Sequence, residues 1–166
     1  MGCCMSNVFK IIHFQRLLNL PELNIGIFSF LLNFFWEIQQ MPFFQISSEL
    51  SYLDTIQNCT FSTIGDIGIS LTAFWIIAVA SKSRQWFRSA HWWQLSGFIL
   101  VGIVITATFE ALATKVLNLW EYADIMPILP FFNTGLLPLL QWLLIPPMII
   151  WFVKRQLSDF RPRSSS

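Results

Sequence analysis

Four long apolar runs, broken by short polar stretches, set the pattern of this chain. They cover about 24–41, 62–80, 93–113 and 136–153, and each is close to the roughly 20 residues that carry an α-helix across a bilayer. Pro42 closes the first run, and residues 43–61 read as a loop holding Glu49 and Asp54. Thr63-Ile64-Gly65-Asp66 opens the second run and puts Asp66 in its first turn. Trp92-Trp93 introduces the third run. In the fourth, Pro138 falls in the first turn, where proline is tolerated, and Pro146-Pro147 is expected to kink the middle. The expected fold class is all-α: a polytopic membrane protein built as a four-transmembrane-helix bundle.

Polar positions inside the apolar runs carry the chemistry. On a helix Ser29, Asn33, Glu37 and Gln40 fall within roughly 80° of one another, amid Ile, Leu, Phe and Trp. A carboxylate costs several kcal/mol to bury in hydrocarbon, so this face should meet protein or water and not lipid. Gly102, Thr106 and Glu110 recur every fourth residue of the third run. Such small residues let neighbouring helices approach closely.

Charge fixes an expected orientation. Of ten Lys and Arg, nine lie in the lead-in 1–23, the loop Ser81–Arg88 or the tail 154–166, and Lys115 is the tenth. The positive-inside rule then places both termini in the cytoplasm and the 24–153 membrane domain between them. Glu37, Gln40, Asp66, Glu110 and Gln141 all come to the outer half of the bilayer in that arrangement. Clustered carboxylates in low dielectric cannot all ionise, so at least one should stay protonated near neutral pH and serve as an acid.

Composition narrows the classes. Of 166 residues 55% are hydrophobic and only 11% charged, against about 25% charged in soluble domains. A net charge of +1 speaks against a nucleic-acid partner. His13 and His91 both lie outside the apolar runs, which disfavours a bis-histidine haem, and no Cys-x-x-Cys occurs among Cys3, Cys4 and Cys59. No cofactor is expected and no metal ligands stand out.

Smaller signals remain. Met1-Gly2-Cys3-Cys4-Met5-Ser6 fits an N-myristoylation start, although a protein with several spans gains little from such an anchor. Lys10, His13 and Arg16 suggest a weak interfacial helix ending at Pro21. Asn58-Cys59-Thr60 is a glycosylation triplet in the expected outer loop. Trp120 and Tyr122 suit an interfacial aromatic belt, or a lid closing over the polar cluster.

Asn33-Phe34-x-Trp36-Glu37-x-x-Gln40-x-Pro42, Asp66, Glu110, Trp120-x-Tyr122, Met126-Pro127 and Pro138-x-x-Gln141-Trp142 together resemble a group of small four-span bacterial and cyanobacterial membrane proteins without an assigned activity. The match covers roughly residues 25–155 and implies a multi-pass membrane protein, not a chemistry. The order of Glu, Trp-x-Tyr and prolines is also similar to carotenoid-modifying membrane enzymes, but without the motifs of lycopene cyclases. Four spans and a first-span Glu resemble small multidrug transporters, whose sequence around that Glu is absent here.

The functional expectation is a multi-pass protein of the plasma or inner membrane, with a carboxylate-lined pocket in the outer half of the bilayer. It would be a cofactor-free enzyme or binding protein for a lipid or isoprenoid-like substrate. Glu37, Asp66 and Glu110 would be its acid–base groups, and Asn33, Gln40, Gln141, Trp120 and Tyr122 would bind the substrate. A small proton-coupled transporter and an assembly subunit are the alternative readings. Transport would call for a homo-oligomer, since four short helices hardly enclose a pathway.

Overall fold

The computed structural model describes residues 15–45, 51–117, 119–130 and 134–158, and is mostly helical. The lipidation start and most of the weak interfacial helix lie outside these residues. The long helices among the described residues are α1 (Pro21–Gln40), α2 (Tyr52–Ala80), α3 (Trp92–Lys115) and α4 (Leu136–Ser158). Helices α2, α3 and α4 are long and apolar enough to cross a membrane. Helix α1 has 20 residues and is interrupted by the polar side chains that distinguish its buried face.

Local chemistry explains the ends. Pro21 sits at the start of α1, and Asn24 Nδ2 reaches back to the Leu18 and Leu20 carbonyls at 2.7 and 2.8 Å. A 3₁₀ turn at Met41–Phe43, containing Pro42, ends it. Helix α2 corrects the sequence reading by starting ten residues early. Ser51 Oγ accepts from the Asp54 N–H while Asp54 accepts from the Ser51 N–H, a capping box that nucleates helix in the segment expected to be loop. Asp66 therefore lies well inside α2 and is buried, not in a first turn. Cys59 is likewise buried within the helix, and Asn58-Cys59-Thr60 is helical. Gln94 caps α3 by accepting from the His91 N–H at 2.8 Å. Helix α4 runs unbroken through Pro146 and Pro147 and continues past the expected end at Val153 to Ser158, where Arg155 covers the Trp151 ring.

Each helix packs on two others: α1 on α2 and α4, and α3 on the same two. Residue pairing along the seams is antiparallel. Glu22 pairs with Arg84 and Ser29 with Ser70 between α1 and the α2 end, while Phe28 stacks on Phe152 and Asn33 meets Gln141 between α1 and α4. The bundle has two chemically distinct halves. Toward the Glu22–Arg84 end the interior is apolar, formed by Ile25, Phe74, Ile77, Trp86, Phe87, Phe98, Ile149 and Val153. Toward the other end it is polar, while Leu31, Phe35, Phe61, Leu100, Val104, Phe109 and Trp151 face outward. Apolar outside with polar inside inverts a water-soluble bundle, and is compatible with a membrane protein.

Extended chain covers the polar end, an addition to the all-α expectation. Gln45 N–H donates to Glu121 O at 2.9 Å and Ala123 N–H to Phe43 O at 3.0 Å, with Phe44 and Tyr122 paired between them. A short hairpin follows, in which β1 (Ile128–Leu129) pairs antiparallel with β2 (Thr134–Gly135) and leads directly into α4.

Candidate functional site: a polar seam beneath the loop clasp

One side chain joins three helices. Gln141 Nε2 on α4 donates to Asn33 Oδ1 on α1 and to Asp66 Oδ2 on α2, both at 2.8 Å. Asn33 Nδ2 donates in turn to the Ser29 carbonyl and to Ser29 Oγ at 2.9 Å, and Ser29 Oγ shares a 2.9 Å bond with Ser70 Oγ. The relay runs Ser70, Ser29, Asn33, Gln141, Asp66. Its bonds settle the amide orientations, because both Gln141 N–H groups are used and Asn33 must present its oxygen to them.

Two further groups flank it. Glu37 is half-buried, and its Oε1 accepts from Gln40 Nε2 at 2.8 Å; Gln40 is held by Trp36 Nε1, which donates to Gln40 Oε1 at 3.1 Å. Glu110 is buried on α3 and accepts the Tyr122 hydroxyl, with the Trp120 side chain as a second donor. The Gly135 N–H supports Tyr122 from behind. Burial first, and then the bond to Glu110, push the Tyr122 phenol above the ordinary tyrosine range.

Glu37, Asp66 and Glu110 lie close enough for their charges to interact. All eight residues singled out from the sequence thus belong to one end of the bundle: Asn33, Asp66 and Gln141 in direct contact, Glu37 with Gln40, and Glu110 with Tyr122 and Trp120. Trp120 is 37% exposed and stands at the rim, whereas Tyr122 is half-buried, and both reach Glu110 from the clasp.

Sequence reading passed over Thr63 and Ser70. Thr63, Asp66, Ser70 and Ala73 follow one another at three- and four-residue steps and are buried on one face of α2. The helical-face reading that found Ser29, Asn33 and Gln40 finds these too when it is applied to the run 62–80.

A groove of ≈ 560 Å³ lies elsewhere, on the outer surface between α1 and α2, lined by Glu22, Leu23, Gly26, Phe30, Ile67 and Leu71 among others. It contains none of the candidate residues. Among the described residues no group of three His, Cys, Asp or Glu is arranged to hold a metal ion. No protein family, no curated protein and no solved structure matches the chain.

Proposed function

We propose that this chain is a four-span membrane protein with both termini in the cytoplasm, and that its polar end binds a lipid or isoprenoid-like molecule and performs acid–base chemistry on it. One observation carries the reading: three carboxylates from three helices gather inside the bundle, under a clasp of loop backbone, with amide, indole and phenol donors arranged on them. Ionisable groups within membrane helices face the protein interior and mark substrate or proton pathways. The apolar exterior leaves the bilayer as the medium from which a substrate arrives, and the site lies in the outer half under the charge-based orientation.

In this reading Asp66 and Glu37 pass protons to and from the polar or unsaturated end of the substrate. Gln141, Asn33 and Gln40 hold the carboxylates in place, and Tyr122 with Glu110 closes the site against water. Such groups suffice for isomerisation, hydration or cyclisation, in which a proton is added at one carbon or oxygen and removed at another.

Mass spectrometry of lipids retained by the purified protein tests the proposal. A defined isoprenoid or lipid, enriched over its share of the membrane, is expected. Asp66→Asn and Glu37→Gln should lower its amount or leave it in an unconverted form. Retention of bulk membrane lipid alone, identical in wild type and both variants, would overturn the reading. An assembly role would leave complex formation as the only property of the chain and both variants unaffected.

A further inference from the structure

Two buried polar atoms next to the carboxylate cluster have no partner among the described residues: Thr106 Oγ1 on α3 and Trp142 Nε1 on α4. Threonines elsewhere in these helices turn their hydroxyls onto the carbonyl four residues back. Thr60, Thr63, Thr72, Thr108 and Thr114 do so at 2.7–2.8 Å. Thr106 does not, although at 8% exposure it is more enclosed than any of them but Thr63, so its hydroxyl is left without that bond. Trp142 is 2% exposed, and its ring lies across Gly102 so closely that a Cβ there would sit 2.0 Å from Cε3.

Both belong to the site already described. Gly102, Thr106 and Glu110 form one row on the buried face of α3, about 6 Å apart per step. Trp142 follows Gln141, whose amide holds Asp66. A buried indole N–H calls for an acceptor, and a hydroxyl left without that bond calls for a donor or an acceptor. An anionic headgroup is repelled by Glu37, Asp66 and Glu110, and an ammonium has no acceptor to offer Trp142.

We propose that the ligand of this site is an amphiphile whose polar end is an uncharged hydroxyl, seated between Thr106 and Trp142 with its apolar chain extending toward the bilayer. This rests on the function proposed above and specifies its substrate class. The hydroxyl accepts from Trp142 Nε1, donates to Thr106 Oγ1, and comes within reach of the Asp66–Gln141 pair.

Three probes of one chain length test it on the full-length protein in nanodiscs: geranylgeraniol, the corresponding hydrocarbon without oxygen, and geranylgeranyl phosphate. The alcohol should bind about tenfold or more tightly than the hydrocarbon, as two hydrogen bonds allow, and the phosphate no better than the hydrocarbon. Thr106→Val and Trp142→Phe should each remove most of the alcohol's advantage and leave hydrocarbon binding unchanged. Thr106→Ser should restore it, which keeps the test decisive if Trp142→Phe does not fold. Thr106→Val should not lower the thermal stability of the ligand-free protein, because it deletes a hydroxyl that has no partner there, whereas Trp142→Phe should lower it through the space its smaller ring leaves. Equal affinity for alcohol and hydrocarbon, or an undiminished preference in Thr106→Val, would overturn the inference. Probe binding that depends on Asp66 but not on oxygen would do so while sparing the proposed function; failure of all three probes to bind would overturn both.

Discussion

Gln141 Nε2 stands 2.8 Å from Asp66 Oδ2 and, with its other hydrogen, 2.8 Å from Asn33 Oδ1. One buried amide thus ties α1, α2 and α4 together. Gln141→Leu would leave a buried carboxylate and a buried amide oxygen without this donor, and should destabilise the protein by about 2–4 kcal/mol. Adding Asp66→Leu and Asn33→Leu should recover part of the loss, since removing all partners is less costly than stranding two. Denaturant or thermal unfolding in detergent measures both effects. Equal stability of Gln141→Leu and wild type would mean that the relay is not structural.

The Gly102–Trp142 contact makes a sharper steric prediction. A Cβ at position 102 would lie 2.0, 2.6 and 2.7 Å from three carbons of a rigid, enclosed ring. Gly102→Ala should therefore cost about 1–3 kcal/mol through overpacking, against the helix propensity that normally favours alanine. Gly65→Ala is the control. It sits exposed in α2 with nothing within 4 Å of the added methyl, and should be neutral or stabilising by up to about 1 kcal/mol.

Much of this end of the bundle could be read from the chain, and particular residues show why the rest could not. Ser29, Asn33 and Gln40 were legible because polar groups at helical spacing in an oily segment can only point inward. The start of α2 was missed because Thr55, Gln57, Asn58 and Thr60 dilute its hydropathy. The local signal that counted was the Ser51-x-x-Asp54 cap, which an apolar window does not see. The pairing of Phe43–Gln45 with Glu121–Ala123 joins segments nearly 80 positions apart, and nothing in either short stretch specifies the other. Gly102 was noticed for its spacing with Thr106 and Glu110, but that an indole and not a helix backbone fills the gap is a packing result.

Single cysteines in a cysteine-free background test the proposed orientation. Glu121→Cys, in the exposed clasp, should react with a membrane-impermeant maleimide added to intact cells. Ser158→Cys, at the end of α4, should react only after the cells are opened. Labelling of both positions from outside would mean that α4 does not cross between them, and would overturn the four-span arrangement.

Tyr122 gives the chain a predicted alkaline weakness. Burial and the bond to Glu110 raise its phenol above the ordinary value of about 10, so the folded protein holds this proton more tightly than the unfolded chain does. Well below that value both states are protonated, and the group adds no pH dependence. As pH climbs through about 10 the unfolded chain releases the proton while the folded protein keeps it, and stability falls. Unfolding midpoints measured between about pH 9 and pH 11 should therefore decline in wild type, and decline less steeply in Tyr122→Phe. Other titrating groups are common to both proteins and cancel in the difference. At neutral pH the same variant should be less stable than wild type, because Glu110 loses its phenol donor. The two stability curves should therefore converge as the pH rises, and parallel curves would show that the hydroxyl of Tyr122 is not held in the clasp as described.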